Sequence, residues 1–238
     1  MLLYIIRHGD PDYSTDSLTP RGILQAEAVG KRVFDTKVDR IFSSPMGRAK
    51  QTAEPACRLL GLPCEIEEWT HEIASSNYSA HYPAQGRDQT WGSIFVQNSH
   101  IMGDGGYDLS YSQTFDSPMF RNTGMEEARS YIEENGKAFL ERLGYREENG
   151  AYRILRPNDD KIALFCHGAF ARTWLSVLLR IPLHVMLSSF ITSHTGVTVL
   201  QFENFENGWT APRCLSYCDL SHLIAAGLDM RYNGTIEV

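Results

Sequence analysis

No apolar run in this chain reaches the roughly 18 residues of a membrane-spanning helix, so a helical membrane protein is not expected. Positive charge is also short: 22 Lys and Arg stand against 29 Asp and Glu, a net charge of −7. That balance argues against a general nucleic-acid binder, whose affinity needs a basic footprint, though not against a local basic pocket. Cysteine is sparse and unpaired in pattern. Five are scattered at positions 57, 64, 166, 214 and 218, without the tight repeated spacing of a zinc site. They read as reduced cytosolic thiols, with no metal expected. The amino end lacks a basic leader followed by a long apolar core. A core strand stands there instead, so no signal peptide is expected and the chain reads as cytoplasmic. Repeats, low-complexity tracts and clear linkers are absent as well. With 238 residues and 42% hydrophobic content, the chain has enough apolar material for one domain over 1–238.

The elements alternate in type. Residues 2–6 read as a buried strand. Asp16 to Thr19 turn the chain, and Thr19 caps a helix with Pro20 at its first position. Leu18 and Ile23 are placed for a hydrophobic staple, and Ile23, Ala26, Gly30 and Val33 lie near one face. A short strand over 39–43 follows, then a helix to about Leu60 in which Pro55 predicts a kink or a later start. A third strand covers 64–66. Residues 73–123 break this rhythm. They are rich in Ser, Gly, Asn and Tyr, with aromatics spread throughout, and read as an insertion packed over the strand ends. The competing reading is a satellite subdomain remote from any ligand. An amphipathic helix over 124–144, a loop with a short hairpin over 149–160, a strand over 162–166, a helix over 169–180 and a final strand pair complete the pattern. Strand–helix–strand repetition predicts an α/β three-layer sandwich, with a mostly parallel central sheet flanked by helices.

Three motifs each follow an expected strand. Arg7-His8-Gly9 comes first, and Ser43-Ser44-Pro45-Met46-Gly47-Arg48 second. Phe165-Cys166-His167-Gly168 is the third. The carboxyl ends of strands in open α/β sheets are where ligands bind. Two histidines and two arginines delivered there suggest a phosphate site with a nitrogen nucleophile. A neutral imidazole escapes charge repulsion from a phosphate dianion, and its second nitrogen is available for orientation. The planar guanidiniums suit phosphoryl oxygens as bidentate donors.

With these motifs and Leu18-Thr19-Pro20-Arg21-Gly22, the chain resembles the histidine phosphatase superfamily, the phosphoglycerate mutase-like family. The resemblance covers 2–72 and 161–223 and is poor across the insertion. It implies His8 as the nucleophile that becomes phosphohistidine, Arg7 and Arg48 as the phosphate clamp, and His167 as a further donor to the phosphate. It also implies a Glu shortly after the third strand, which protonates the leaving alcohol and then activates water. Glu72 matches that place, although Ala74-Ser75-Ser76 replace the family's usual continuation. Asp10 and Glu126 are its alternatives. Mutases of the family have a Trp-Asn pair where this chain has Tyr13-Ser14. Ser14 can still donate to phosphate, but the mutase pattern is missing, which favours the phosphatase branch. Cys218-Asp219-Leu220-Ser221-His222-Leu223 resembles a closing segment of that branch, with His222 read as structural.

The expected function is metal-independent hydrolysis of small phosphate monoesters, with no cofactor. The expected partner is a small phosphorylated metabolite, not nucleic acid or membrane. A homodimer stays open. The rival readings are phosphoglycerate mutase-type transfer and a non-catalytic phosphate-binding module.

Overall fold

The computed structural model describes residues 1–73, 108–120 and 123–230. Most of the 73–123 insertion therefore lies outside the described residues.

Six strands form the central sheet. They are β1 (Leu2–Arg7), β4 (Arg40–Ser43), β5 (Cys64–Ile66), β8 (Lys161–Cys166), β9 (Val197–Gln201) and β11 (Arg213–Asp219), in the order β11-β9-β1-β8-β4-β5. β1 pairs with β8 in parallel, as β8 does with β4 and β4 with β5. β9 runs antiparallel between β1 and β11. Small pairs add β2 (Pro11–Asp12) with β3 (Ser17–Leu18), and β6 (Tyr145–Glu148) with β7 (Ala151–Ile154) and β10 (Trp209–Thr210).

The central strands are buried on both faces, which is why they read as unbroken apolar runs. Strand pleating sorts their side chains into two cores. Leu3, Ile5, Ile162, Leu164 and Cys166 join Phe139, Phe170 and Trp174. These come from α3 (Met125–Arg142) and α4 (Gly168–Leu179). Ile6, Ile41, Ala163 and Phe165 join Val29, Val33, Ala53 and Ala56 from α1 (Pro20–Thr36) and α2 (Gly47–Leu60) on the other face. The result is the expected helix–sheet–helix sandwich.

Connections leave the middle of the sheet in opposite directions. β1 leads through α1 to β4 on one side. β8 leads through α4 and α5 (Leu183–Ser189) to β9 on the other. The point of divergence lies between the carboxyl ends of β1 and β8, where such sheets open a ligand crevice.

Several local expectations change. Thr19 caps α1 by accepting from the Gly22 amide at 3.0 Å, but Ile23 is exposed, so no hydrophobic staple forms. The buried face of α1 is Gly22, Gln25, Ala26, Val29, Gly30 and Val33. α2 runs unbroken through Pro55. That proline is buried against Gly30, where a Cβ would meet Pro55 Cβ at 2.6 Å. Close helix packing therefore accommodates the ring. The hairpin expected within 149–160 is β6–β7, and it begins at Tyr145. Of the insertion, two short turns of 3-10 helix are described, Tyr111–Asp116 and Pro118–Phe120. Met119 and Phe120 enter the α3–α4 core, and Thr114 hydrogen-bonds His184 Nδ1 at 2.9 Å.

Candidate active site

Register places the two histidines side by side. Arg7 is paired with Cys166 across the β1–β8 ladder, and the His8 amide donates to the Cys166 carbonyl at 2.9 Å. The next residue on each strand is then delivered to one crevice. The rings of His8 and His167 lie 5.2 Å apart, centroid to centroid, and both residues are buried.

Hydrogen bonding decides their tautomers. His8 Nδ1 is 2.7 Å from the Gly9 carbonyl oxygen. A carbonyl only accepts, so Nδ1 holds the proton and Nε2 presents its lone pair. His167 Nε2 is 2.8 Å from the Ser44 hydroxyl, and its buried Nδ1 has no hydrogen-bond partner among the described residues. When Ser44 donates to Nε2, Nδ1–H is left as a free donor in the crevice.

Burial, with Arg7 and then the neighbouring His167, holds His8 well below the usual imidazole range. Burial, Arg48 and Arg7 do the same to His167. Both rings are uncharged near neutrality.

The arginines come from different elements. Arg7 ends β1, and its Nη1 donates to the Thr192 carbonyl at 2.6 Å. Burial lowers its pKa, and Tyr13 and Glu72 oppose that shift. Arg48 is buried in the first turn of α2, and its Nη1 pairs with Asp16 Oδ1 at 2.5 Å. Asp16 Oδ2 accepts from the Gly47 amide at 2.6 Å, so this carboxylate from a distant turn serves a helix start that has no side-chain cap of its own. Glycine is required there, because a Cβ on Gly47 would lie 2.2 Å from the Asp16 carbonyl oxygen.

Glu72 lies at the amino end of α4. Its oxygens accept from the amides of Phe170 at 3.0 Å, Ala169 at 3.3 Å and Ile73 at 2.9 Å. Its charge is felt at Arg7, so it borders the crevice. Ser14 is not drawn into this group. It is exposed, and both its hydroxyl and its amide donate to Asp12 Oδ1, at 2.6 and 2.9 Å. Its neighbour Tyr13 is the residue brought to the arginines. The Arg48 guanidinium carbon lies 5.4 Å from the Tyr13 ring centroid, and Tyr13 accepts a hydrogen bond from Arg7. Glu126 is exposed in the first turn of α3. Asp10 lies near the nucleophile, with Oδ1 3.5 Å from His194 Nδ1. His222 is buried 3.0 Å from the Thr195 hydroxyl.

Sequence reasoning missed His194. Its ring centroid is 5.6 Å from that of His8. The signal was the antiparallel strand: the residues before β9 sit at the same end of the sheet as those after β1.

Among the described residues, no group of three or more His, Cys, Asp or Glu side chains is placed to hold a metal ion, and no helix is long and apolar enough to cross a membrane.

Residues 3–100 match the family model described as Histidine phosphatase superfamily (branch 1). A protein of Hydrogenobacter thermophilus named as a phosphoserine phosphatase is 30% identical over 89 residues, covering 34% of this chain and 44% of its own. A Proteus mirabilis protein named as the phosphoglycerate mutase GpmB is 37% identical over 68 residues, or 24% and 32% of the two chains. The aligned stretches thus span less than half of these curated relatives. Among solved structures, a phosphoserine phosphatase mutant of Entamoeba histolytica, crystallised with phosphoserine, superposes with a TM-score of 0.60. It is 23% identical and covers 93% of this chain and 98% of its own, a likeness of fold.

Proposed function

We propose that this chain, a histidine phosphatase superfamily protein by its match over residues 3–100 and by its fold, hydrolyses small phosphate monoesters through phosphohistidine at His8, without a metal. One observation carries the reading. Two uncharged imidazoles face one crevice, with a lone pair fixed on His8 Nε2 and two guanidiniums in their field.

The phosphate dianion binds to Arg7 and Arg48 as planar donors, and charge spreading over its oxygens in the transition state strengthens both contacts. His8 Nε2 attacks phosphorus. Glu72 supplies the proton to the departing oxygen, and His167 donates to a phosphoryl oxygen through Nδ1–H. Water then releases inorganic phosphate. The phosphoserine of the Entamoeba structure puts small carboxylated monoesters first among substrates to test. The chain is read as a single cytoplasmic domain. The free thiols of the five cysteines suit that compartment.

Incubation with 4-nitrophenyl phosphate, with and without a chelator, tests this. Release that survives chelation and disappears in His8→Ala supports it. Release that collapses on chelation, or persists in His8→Ala, contradicts it. The GpmB-named relative supports a second reading, phosphoryl transfer back to substrate. It predicts phosphate exchange that depends on added bisphosphate.

A further inference from the structure

Residues 217–222 take no part in the chemistry above, yet three of them are fastened to the turn that grips the end of β1. Tyr217 and Cys218 are neighbours on β11, where successive side chains ordinarily point to opposite faces. Here the pairing of β11 with β9 shifts register between Ser216 and Asp219, and Cys218 takes a φ of 48°. A bulge of this kind re-aims a side chain, and both residues meet the 192–196 turn. The Tyr217 and Thr192 hydroxyls share a hydrogen bond at 3.2 Å. Cys218 Sγ accepts from the Ser193 amide at 3.0 Å. It also lies so close to Gly196 that a Cβ there would meet it at 2.6 Å. His222 makes the third attachment. The Thr195 hydroxyl gives its proton to the His194 carbonyl at 2.7 Å, so it accepts from His222 Nε2–H at 3.0 Å.

The turn in its own right holds the end of β1. The Thr192 carbonyl accepts from Arg7 Nη1 at 2.6 Å. The Thr195 amide donates to the carbonyls of Arg7 and His8 at 3.1 and 3.2 Å, and the Arg7 amide donates to the Gly196 carbonyl at 3.3 Å. Thr195, at a φ of 56°, is left-handed like Cys218, and a β-branched residue there is an outlier. Strain of this kind persists only where the surroundings over-determine it, and it gathers at functional sites. A guanidinium that is fixed before the phosphate arrives binds it with less ordering to do.

We propose that Tyr217, Cys218 and His222 are positioning residues of the phosphate clamp: they hold the 192–196 turn, and the turn holds the Arg7 guanidinium through the Thr192 carbonyl. None of the three touches the phosphate, and each acts through Arg7. This rests on the reading of Arg7 as a phosphate ligand.

Steady-state kinetics with 4-nitrophenyl phosphate, with inorganic phosphate as competing inhibitor, test this in a double-mutant cycle with Arg7. Tyr217→Phe removes only a hydroxyl. His222→Leu removes the donor to Thr195, and His222→Gln keeps an N–H in its place. Tyr217→Phe and His222→Leu should each weaken phosphate inhibition and lower kcat/KM about tenfold, and His222→Gln should recover most of that loss. Arg7→Met alone should lower kcat/KM about 100-fold, and Tyr217→Phe or His222→Leu added to it should change little more. That non-additivity is the signature of residues acting through one guanidinium, whereas a general loosening of the fold would reduce both backgrounds alike. Arg7→Lys replaces Arg7→Met if the latter does not fold, and where one of Tyr217→Phe and His222→Leu is unfolded the other decides. Folded variants with wild-type phosphate inhibition overturn the assignment, as does an equal loss in both Arg7 backgrounds. An Arg7→Met protein with wild-type kinetics defeats the clamp reading first, and this assignment with it.

Discussion

At the scale of single residues, the reactivity of His8 follows from two facts about its ring. A carbonyl acceptor fixes the proton on Nδ1, and burial beside Arg7 disfavours a second proton. Activity should therefore show no loss at the ordinary imidazole value of about 6.5 as pH falls. A kcat/KM profile against an aryl phosphate tests this once the ester's own second ionisation, near 6, is divided out. An acid limb at 6.5 would contradict it. Arg48 serves through planarity as well as charge. Arg48→Lys keeps the cation and loses the fork, so kcat/KM should drop roughly 100-fold, by about 2.7 kcal/mol. Steady-state kinetics would show it, and an unchanged value would remove Arg48 from phosphate binding. The sequence displayed His8, His167, Arg7 and Arg48 because each follows a strand end or opens a helix. It misdirected at 13–14. The hydroxyl of Ser14 turns to Asp12, while Tyr13 reaches the arginines, and nothing in the order of two adjacent residues tells which one faces inward.

At the scale of elements, α1 and α2 pack closely enough that small residues set their separation. Gly30→Ala would place a Cβ 2.6 Å from that of Pro55. Overpacking of this kind costs about 1–3 kcal/mol, which a lower urea midpoint at unchanged m would report. Gly47→Ala should be worse for function. It pushes against the turn whose Asp16 orients Arg48, so KM should rise along with the loss of stability. The strands were the most legible part of the fold. β1 and β8 are buried on both faces and so appear as continuous apolar runs, and each carries its motif immediately afterwards. Long-range pairing was not legible. Only the antiparallel register of β9 on β1 brings His194 beside His8, and local periodicity carries no information about strand order. Pro55 misled for a related reason, since its cost in a helix was plain but its complement, Gly30, lies on another helix.

Taken as a whole, the molecule keeps several histidines uncharged inside. His194 is pushed down to about 3 and His222 to about 4, mainly by burial, and His8, His167 and His184 shift the same way. For such groups the unfolded chain binds more protons than the folded one. Stability is therefore fully present above the unfolded value near 6.5 and is lost as pH falls toward the folded values. Between pH 7 and pH 5, His194 and His222 should each remove roughly 2 kcal/mol. Melting should then come roughly 10 °C earlier at pH 5, and calorimetry across that range would reveal it. A flat profile would contradict the buried, neutral assignment. The electrostatic logic of the site belongs to this same scale. Three imidazoles stay neutral, so that among the described residues the positive charge felt at the crevice comes from guanidiniums, and the incoming dianion meets a nucleophile that does not repel it. The most direct test of the account is to quench the wild-type protein during turnover of an aryl phosphate and locate the phosphoryl group by peptide mass analysis. The account predicts an acid-labile, base-stable phosphate on His8. Label on any other residue, or none in a preparation that is turning over, would contradict it.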